Sequence, residues 1–164
     1  MAALPALWKG SKMKFLWLSL LLLTAVPAFG HEDHPGGDHM AGMQAIKDKV
    51  PAEYRVMDRS PVTPTAESLA RGASLFAQNC AVCHGPEGRG DGPAAASMRT
   101  RPANFHDAHH SGFYSPGEKY WIISNGLKSS GMPAYGDRLT PRQLWDLVNH
   151  VLSLPQKGMD DLFN

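Results

Sequence analysis

The chain has 164 residues, 43% hydrophobic and 19% charged, with a formal net charge of +1 at pH 7. That length holds one domain plus tails. Lys9, Lys12 and Lys14 sit in the first thirty residues, where no acid occurs; without them 13 basic residues face 15 acidic ones, a balance of −2. A body this close to neutral lacks the basic face that displaces counterions from nucleic acid, so nucleic-acid binding is excluded. The two cysteines lie within one five-residue stretch, too few for a disulfide framework.

In chain order, Lys12-Met13-Lys14 precede the apolar run Phe15–Leu23, and Thr24–Gly30 follow with small residues and Pro27. Positive, apolar, then small is the order of a secretory signal, expected over 1–30 with cleavage after Gly30 or, alternatively, Ala28. Met13 is an alternative start, because residues 1–11 add nothing to the signal. The apolar core is shorter than the ~20 residues that span a bilayer. Retention as a membrane anchor is the second reading, and only then would the chain meet a membrane. No cysteine lies near the cleavage region to carry a lipid.

His31–Met40 reads HEDHPGGDHM, too polar to bury a core. His31, His34 and His39 among Glu32, Asp33 and Asp38 allow a weak surface site for copper, zinc or nickel, with His31 adding an amino ligand if it becomes the N-terminus. A solvated tail is the favoured reading. With Pro51, Pro61 and Pro64 and little periodicity, 31–62 is expected as a flexible His-rich lead-in, its Met40, Met43 and Met57 solvent-side or packing residues. The folded domain is expected over 63–156 and a short tail over 157–164.

Thr63 is expected to cap a first helix, with Pro64 at its first position and Glu67 in its first turn. Leu69, Ala73 and Phe76 recur at helical spacing and lead into Cys80. Gly85–Pro93 is too rich in glycine and proline for regular structure. Pro116–Asn125 reads as a second helix carrying Tyr120, Trp121, Ile122 and Ile123, stopped by Gly126. Thr140-Pro141-Arg142-Gln143 is a capping box. It opens a last helix whose stripe is Leu144, Leu147, Val148, Val151 and Leu152, with Trp145 at the edge and Pro155 as the stop. No segment alternates with period two for long, and the chain has no internal repeat. The expected fold is all-α, three to four short helices joined by long loops. Such a domain is poorly placed to bury enough apolar surface unaided, which a large apolar cofactor would remedy.

Cys80-Ala81-Val82-Cys83-His84 is C-x-x-C-H, the attachment sequence for haem c. Two thiols on one turn can form thioethers to the vinyl groups of one porphyrin edge, and the following imidazole is placed as the proximal iron ligand. Covalent attachment belongs with compartments outside the bacterial cytoplasm, in accord with the export signal. A zinc site needs four ligands; with no third cysteine, only His106, His109 and His110 could complete one. A thioredoxin-type pair needs a βαβ context that is absent. One covalent haem c is therefore expected, on Cys80, Cys83 and His84. For the sixth iron position, Met132 stands in the rigid loop Gly131-Met132-Pro133-Ala134-Tyr135-Gly136, and Met98 is read as packing. His106, His109 and His110 remain open as surface residues, a metal site or a replacement ligand; His150 reads as structural or exposed. Tyr120, Trp121, Tyr135 and Arg101 either meet the haem and its propionates or pack the core.

From about Glu67 to Leu154 the chain resembles the class I (mitochondrial-type) bacterial monohaem c-type cytochromes. The matching pieces are Gly72 with Phe76, Cys80–His84, Gly85–Pro93 followed by Arg101-Pro102-Ala103-Asn104-Phe105, Gly131-Met132-Pro133, and Leu144–Leu154 with Trp145 or a neighbour as the crossing aromatic. The resemblance implies the cytochrome c fold, with Met132 as distal ligand of a low-spin haem. It also implies that the Pro102 carbonyl accepts the proton of the proximal imidazole. It further implies a periplasmic one-electron carrier between partners such as a quinol-oxidising complex, a terminal oxidase or a periplasmic reductase. Two alternatives stand: a dedicated subunit of one oxidoreductase, a copper-linked one included, and a peroxidase-type enzyme with an open sixth position. The His-rich start and His106–His110 depart from the shared pattern.

Overall fold

The computed structural model describes residues 36–160, with side chains described for 39–107 and 111–154. The expected signal segment 1–30 and its cleavage sites, with His31 and His34, lie outside the described residues.

Two helices cross to make the frame. Helix α3 (Ala66–Asn79) buries Ser68, Gly72 and Phe76, a four-residue spacing that aims one stripe at one neighbour. That neighbour is α7 (Pro141–Asp160), which buries Leu144, Leu147, Val148 and Val151. Burying each such side chain stabilises by about 1.5–3 kcal/mol. The helices touch at Gly72, where an added Cβ would sit 2.1 Å from the Asp146 backbone oxygen. Around the contact lies a polar knot. Asp146 accepts from Ser68 Oγ (2.6 Å), Arg71 Nε (2.7 Å) and Arg71 Nη2 (3.1 Å). Asn149 donates to the Val62 carbonyl and to Ser68 Oγ. Burial alone would raise the Asp146 carboxyl; the bonds from Arg71 and Ser68 reverse this and hold it below its ordinary value.

Both ends of this pair differ from expectation. The cap of α3 is Thr65, not Thr63: the Thr65 hydroxyl accepts from the Ser68 amide at 3.3 Å, and Pro64 stays outside the helix. At the other end α7 runs past Pro155 to Asp160; the fixed proline φ suits a helix, and the loss is confined to its own missing N–H and local crowding. The Thr140 capping box forms as read, with the Thr140 amide donating to Gln143 Oε1 at 2.9 Å and the Gln143 amide to Thr140 Oγ1 at 3.3 Å.

Helix α6 (Pro116–Asn125) has the expected bounds and is closed at its start by a capping box between Ser115 and Glu118. The Tyr120 ring stacks on Trp145 at 4.5 Å and 23°, which hangs α6 on α7 and leaves Ile122 and Ile123 facing inward.

From Gly36 onward the lead-in is not a loose strap. Residues 36–62 form α1 (Gly36–Lys47) and α2 (Ala52–Arg55), with Met43 only 5% and Val50 1% exposed. The Tyr114 hydroxyl donates to the Met43 carbonyl, Lys47 Nζ donates to the Phe113 carbonyl and pairs with Glu118 Oε2 at 3.2 Å, and the Gly117 amide donates to the Met57 carbonyl. These anchors are single apolar or basic residues in a polar stretch, so no periodicity announces them. Helix α4 (Ala81–His84), a 3-10 turn (Ala95–Ser97) and α5 (Ala108–Phe113) complete the described elements. The fold is all-α, with more helices than the three to four expected because four of them are short turns or belong to the lead-in. The strand-like feature among the described residues is an isolated bridge, Leu127 to Met132.

Candidate functional site

Cys80 closes α3 and opens α4, so the first helix delivers the two thiols directly. The amides of Cys83 and His84 both donate to the Cys80 carbonyl, at 3.0 and 2.9 Å, which winds the five residues into one turn. The following loop folds back on that turn: the amides of Gly90, Gly92 and Ala94 donate to the carbonyls of His84, Cys83 and Val82. A Cβ on Gly92 would lie 2.5 Å from the Ala81 oxygen, so the approach requires glycine.

The turn forms one wall of a cavity of about 260 Å³. Met132, Pro133 and Tyr135 line the same cavity as Cys80, Cys83 and His84, and so do Ile122 and Ile123 from α6. Met98, Arg101 and Pro102 also line it, and His39, Met43 and Ile46 of α1 add a wall that the sequence did not announce.

The imidazole of His84 is held in one orientation. Its Nδ1 lies 3.1 Å from the Ala103 carbonyl; a carbonyl only accepts, so Nδ1 carries the proton and Nε2 keeps its lone pair. Burial lowers the His84 pKa, against a smaller opposing effect of the Ala103 carbonyl, which favours the neutral ligand form. The ring stacks on Phe105 at 4.8 Å and 21°, with Phe76 beyond. This corrects the expectation for Pro102. The Pro102 carbonyl packs against Gly90, and the oxygen within reach of the His84 Nδ1 belongs to the next residue, Ala103. The Cys80 thiol is pushed up to about 11 by burial and then by the Cys83 charge. Exchange-active thiols have the opposite shift.

Met132 is half-buried, and its backbone exchanges two hydrogen bonds with Leu127, at 2.9 and 3.1 Å. Met98 reaches the same wall: its methyl lies 3.9 Å from where a Cβ on Gly131 would stand. Tyr135 donates to the Asn79 carbonyl at 2.7 Å and is also on the wall. Tyr120 turns instead to Trp145. His106 Nε2 lies 2.7 Å from the Glu87 carbonyl, and His150 packs against Phe76; neither lines the cavity with the thiols. The side chains of His109 and His110 lie outside those described. Among the described residues, no group of three or more His, Cys, Asp or Glu is placed to hold a metal ion. No helix among the described residues is long and apolar enough to cross a membrane.

Paired thiols on one turn, an imidazole with a free Nε2, a thioether lining the same cavity and apolar walls fit a haem attached through its vinyl edge. Such a fold and site define a c-type haem domain that transfers electrons. The chain belongs to the cytochrome c family: the family model described as Cytochrome c matches residues 69–155, about half of the chain. It is 32% identical over 99 residues to cytochrome c6 of Thermosynechococcus vestitus, covering 59% of this chain and 81% of that one. It is 34% identical over 97 residues to the cbb3-type cytochrome c oxidase subunit FixP of Sinorhizobium medicae, where it spans 31% of the relative. A solved chain of the Kuenenia stuttgartiensis reducing HAO-like protein complex matches with a TM-score of 0.52 and 30% identity, covering 57% of this chain and 46% of that one. The domain binds one haem c covalently, and its role is electron transfer with redox protein partners.

Proposed function

We propose that the chain is an exported one-electron carrier whose haem is joined by thioethers to Cys80 and Cys83, with His84 as proximal and Met132 as distal ligand. The observation that carries this is that both thiols, the imidazole and Met132 line one cavity. When bound, the haem supplies one-electron exchange between ferrous and ferric iron. The Ala103 carbonyl fixes the tautomer and tilt of His84. Met132 is preferred over Met98 because its backbone is pinned to Leu127 from both sides, and a thioether ligand favours the ferrous state. With His84 and Met132 both holding the iron, no position would be left there for a substrate, as suits a carrier rather than an enzyme. Val82, 54% exposed between the thiols, leaves that edge apolar for brief, small-interface encounters. A quinol-oxidising complex, a terminal oxidase or another periplasmic reductase fits as partner, and the place of action is the periplasm.

The ferric spectrum of the purified protein tests the ligand set. A red charge-transfer band from methionine–iron ligation is expected, and it is lost in Met132→Ala. A high-spin spectrum that shifts with cyanide, or a band that survives Met132→Ala, overturns it. Fractionation with the mass of the mature chain tests export. A dedicated oxidase subunit is the second reading, supported by likeness to FixP over part of its length; co-purification with one membrane complex would favour it.

A further inference from the structure

Lys119 sits on α6 one turn before Ile122 and Ile123 and is 7% exposed. Its Nζ donates to the carbonyls of Ser111 and Tyr114. The side chain lines the same cavity as Cys80, Cys83 and His84. A buried ammonium loses its hydration, and carbonyls restore hydrogen bonds without restoring negative charge. Two of its three donors are used, and among the described residues the third meets no further acceptor.

The carboxylate next to it acts on Lys119 through space but makes no direct ion pair with it. Glu118 is turned to Lys47 Nζ (3.2 Å) and to the Ser115 amide (2.7 Å). The Lys/Arg ion pairs among the described residues are Lys47–Glu118, Arg59–Asp58 and Arg71–Asp146, none of which includes Lys119. Burial pulls the Lys119 pKa down to about 8, with Glu118 opposing and Lys47 assisting the fall. The other charged or titratable groups on this side are His39 and Lys47 from α1, Tyr114 after α5, and Arg101 from the loop before α5. Among the described residues no carboxylate side chain lines the cavity, whereas a haem brings two of its own.

We propose that Lys119 is the counter-ion of one haem propionate, its third N–H donated to a propionate oxygen inside the cavity. The inference rests on the haem attachment read above. Lys119 thereby ties the cofactor to α6 at the edge away from the thioethers. It also places a positive charge that favours ferrous iron.

The test uses the haem-loaded full chain with labelled lysine. Nuclear Overhauser contacts between the Lys119 ε-methylene and a propionate methylene are expected in the unmutated protein; their absence overturns the pairing, and this measurement needs no variant. In Lys119→Met the titration of that propionate should move up by about one pH unit. The redox equilibrium should shift roughly tenfold toward ferric, about 59 mV for one electron. Lys119→Arg should keep both near their original values. Equal propionate titration in all three proteins overturns the proposal and points to Arg101. Pyridine haemochrome spectra and the protein mass report attachment separately: no covalent haem sinks both readings, and attached haem without the Lys119 contact sinks this one alone.

Discussion

Replacing Gly72 by alanine puts a methyl group into the backbone of the neighbouring helix. The new Cβ would lie 2.1 Å from the Asp146 oxygen, 2.7 Å from the His150 Cβ and 2.8 Å from the Asp146 carbonyl carbon. Two of these three are backbone atoms, so no rotamer change relieves the contact and the helices must part. Overpacking of this kind costs about 1–3 kcal/mol. Parting also stretches the bonds to Asp146 from Ser68 and Arg71, each contributing about 0.5–1.5 kcal/mol. Alanine returns about 1 kcal/mol through helix propensity. The net expectation is a loss of about 2 kcal/mol, or a fall in Tm on the order of 8 °C for a domain of this size. Thermal unfolding of the haem-loaded protein by circular dichroism reads it directly. A Gly72→Ala protein as stable as the original, or more so, would refute the claim that this crossing is held at backbone contact.

Three further outcomes follow from the same geometry. The depressed Asp146 carboxyl contributes stability present above its ordinary value of 3.8 and lost as pH falls through its lower folded value; Asp146→Asn should be less stable at neutral pH and flatten the acid limb of the unfolding curve, as read by fluorescence. Cys80→Ala and Cys83→Ala should each keep haem through one remaining thioether with a displaced pyridine haemochrome band, and the double variant should lose haem on a denaturing gel; a double variant that stays coloured there would contradict the attachment. Lys47→Met strands the buried Glu118 carboxylate, whose Oε1 has no hydrogen-bond partner, and should destabilise by about 1–3 kcal/mol with faster hydrogen exchange across α1; exchange unchanged in α1 would count against its anchoring.

What the sequence made legible was carried by side chains with a pattern. The stripe of α7, the bounds of α6 and the C-x-x-C-H turn rest on periodicity, capping chemistry and fixed spacing, all of which are local. What it hid was carried by backbone or by isolated residues. Pro102 attracted attention as a proline, yet the oxygen that orients His84 belongs to Ala103, and an alanine carbonyl has no signature in a sequence. The choice of Thr65 over Thr63 turned on which hydroxyl reaches a free amide, two residues apart in a Thr-Pro-Thr run. The wall made by His39, Met43 and Ile46 is long-range, and the polarity of HEDHPGGDHM masks it. Lys119 reads as one more surface lysine until α6 is rotated by the Tyr120–Trp145 stack.

That stack also bears on why the site suits a carrier. Cys80 lies eight positions after Gly72, about 12 Å of helix, so the crossing at Asp146 sets where the thiols stand. On the other side, Trp145 is the residue before Asp146, and through Tyr120 it sets the roll of α6, which leads through Gly126 to Leu127 and the pinned Met132. The thiols with His84 and the methionine loop are thus both referenced to one turn of α7. The two sides of the cavity have little freedom to move apart when one electron arrives or leaves. Restraint of this kind keeps rearrangement on electron transfer small, whereas a site that binds and releases substrate at iron would need one of its two walls left free.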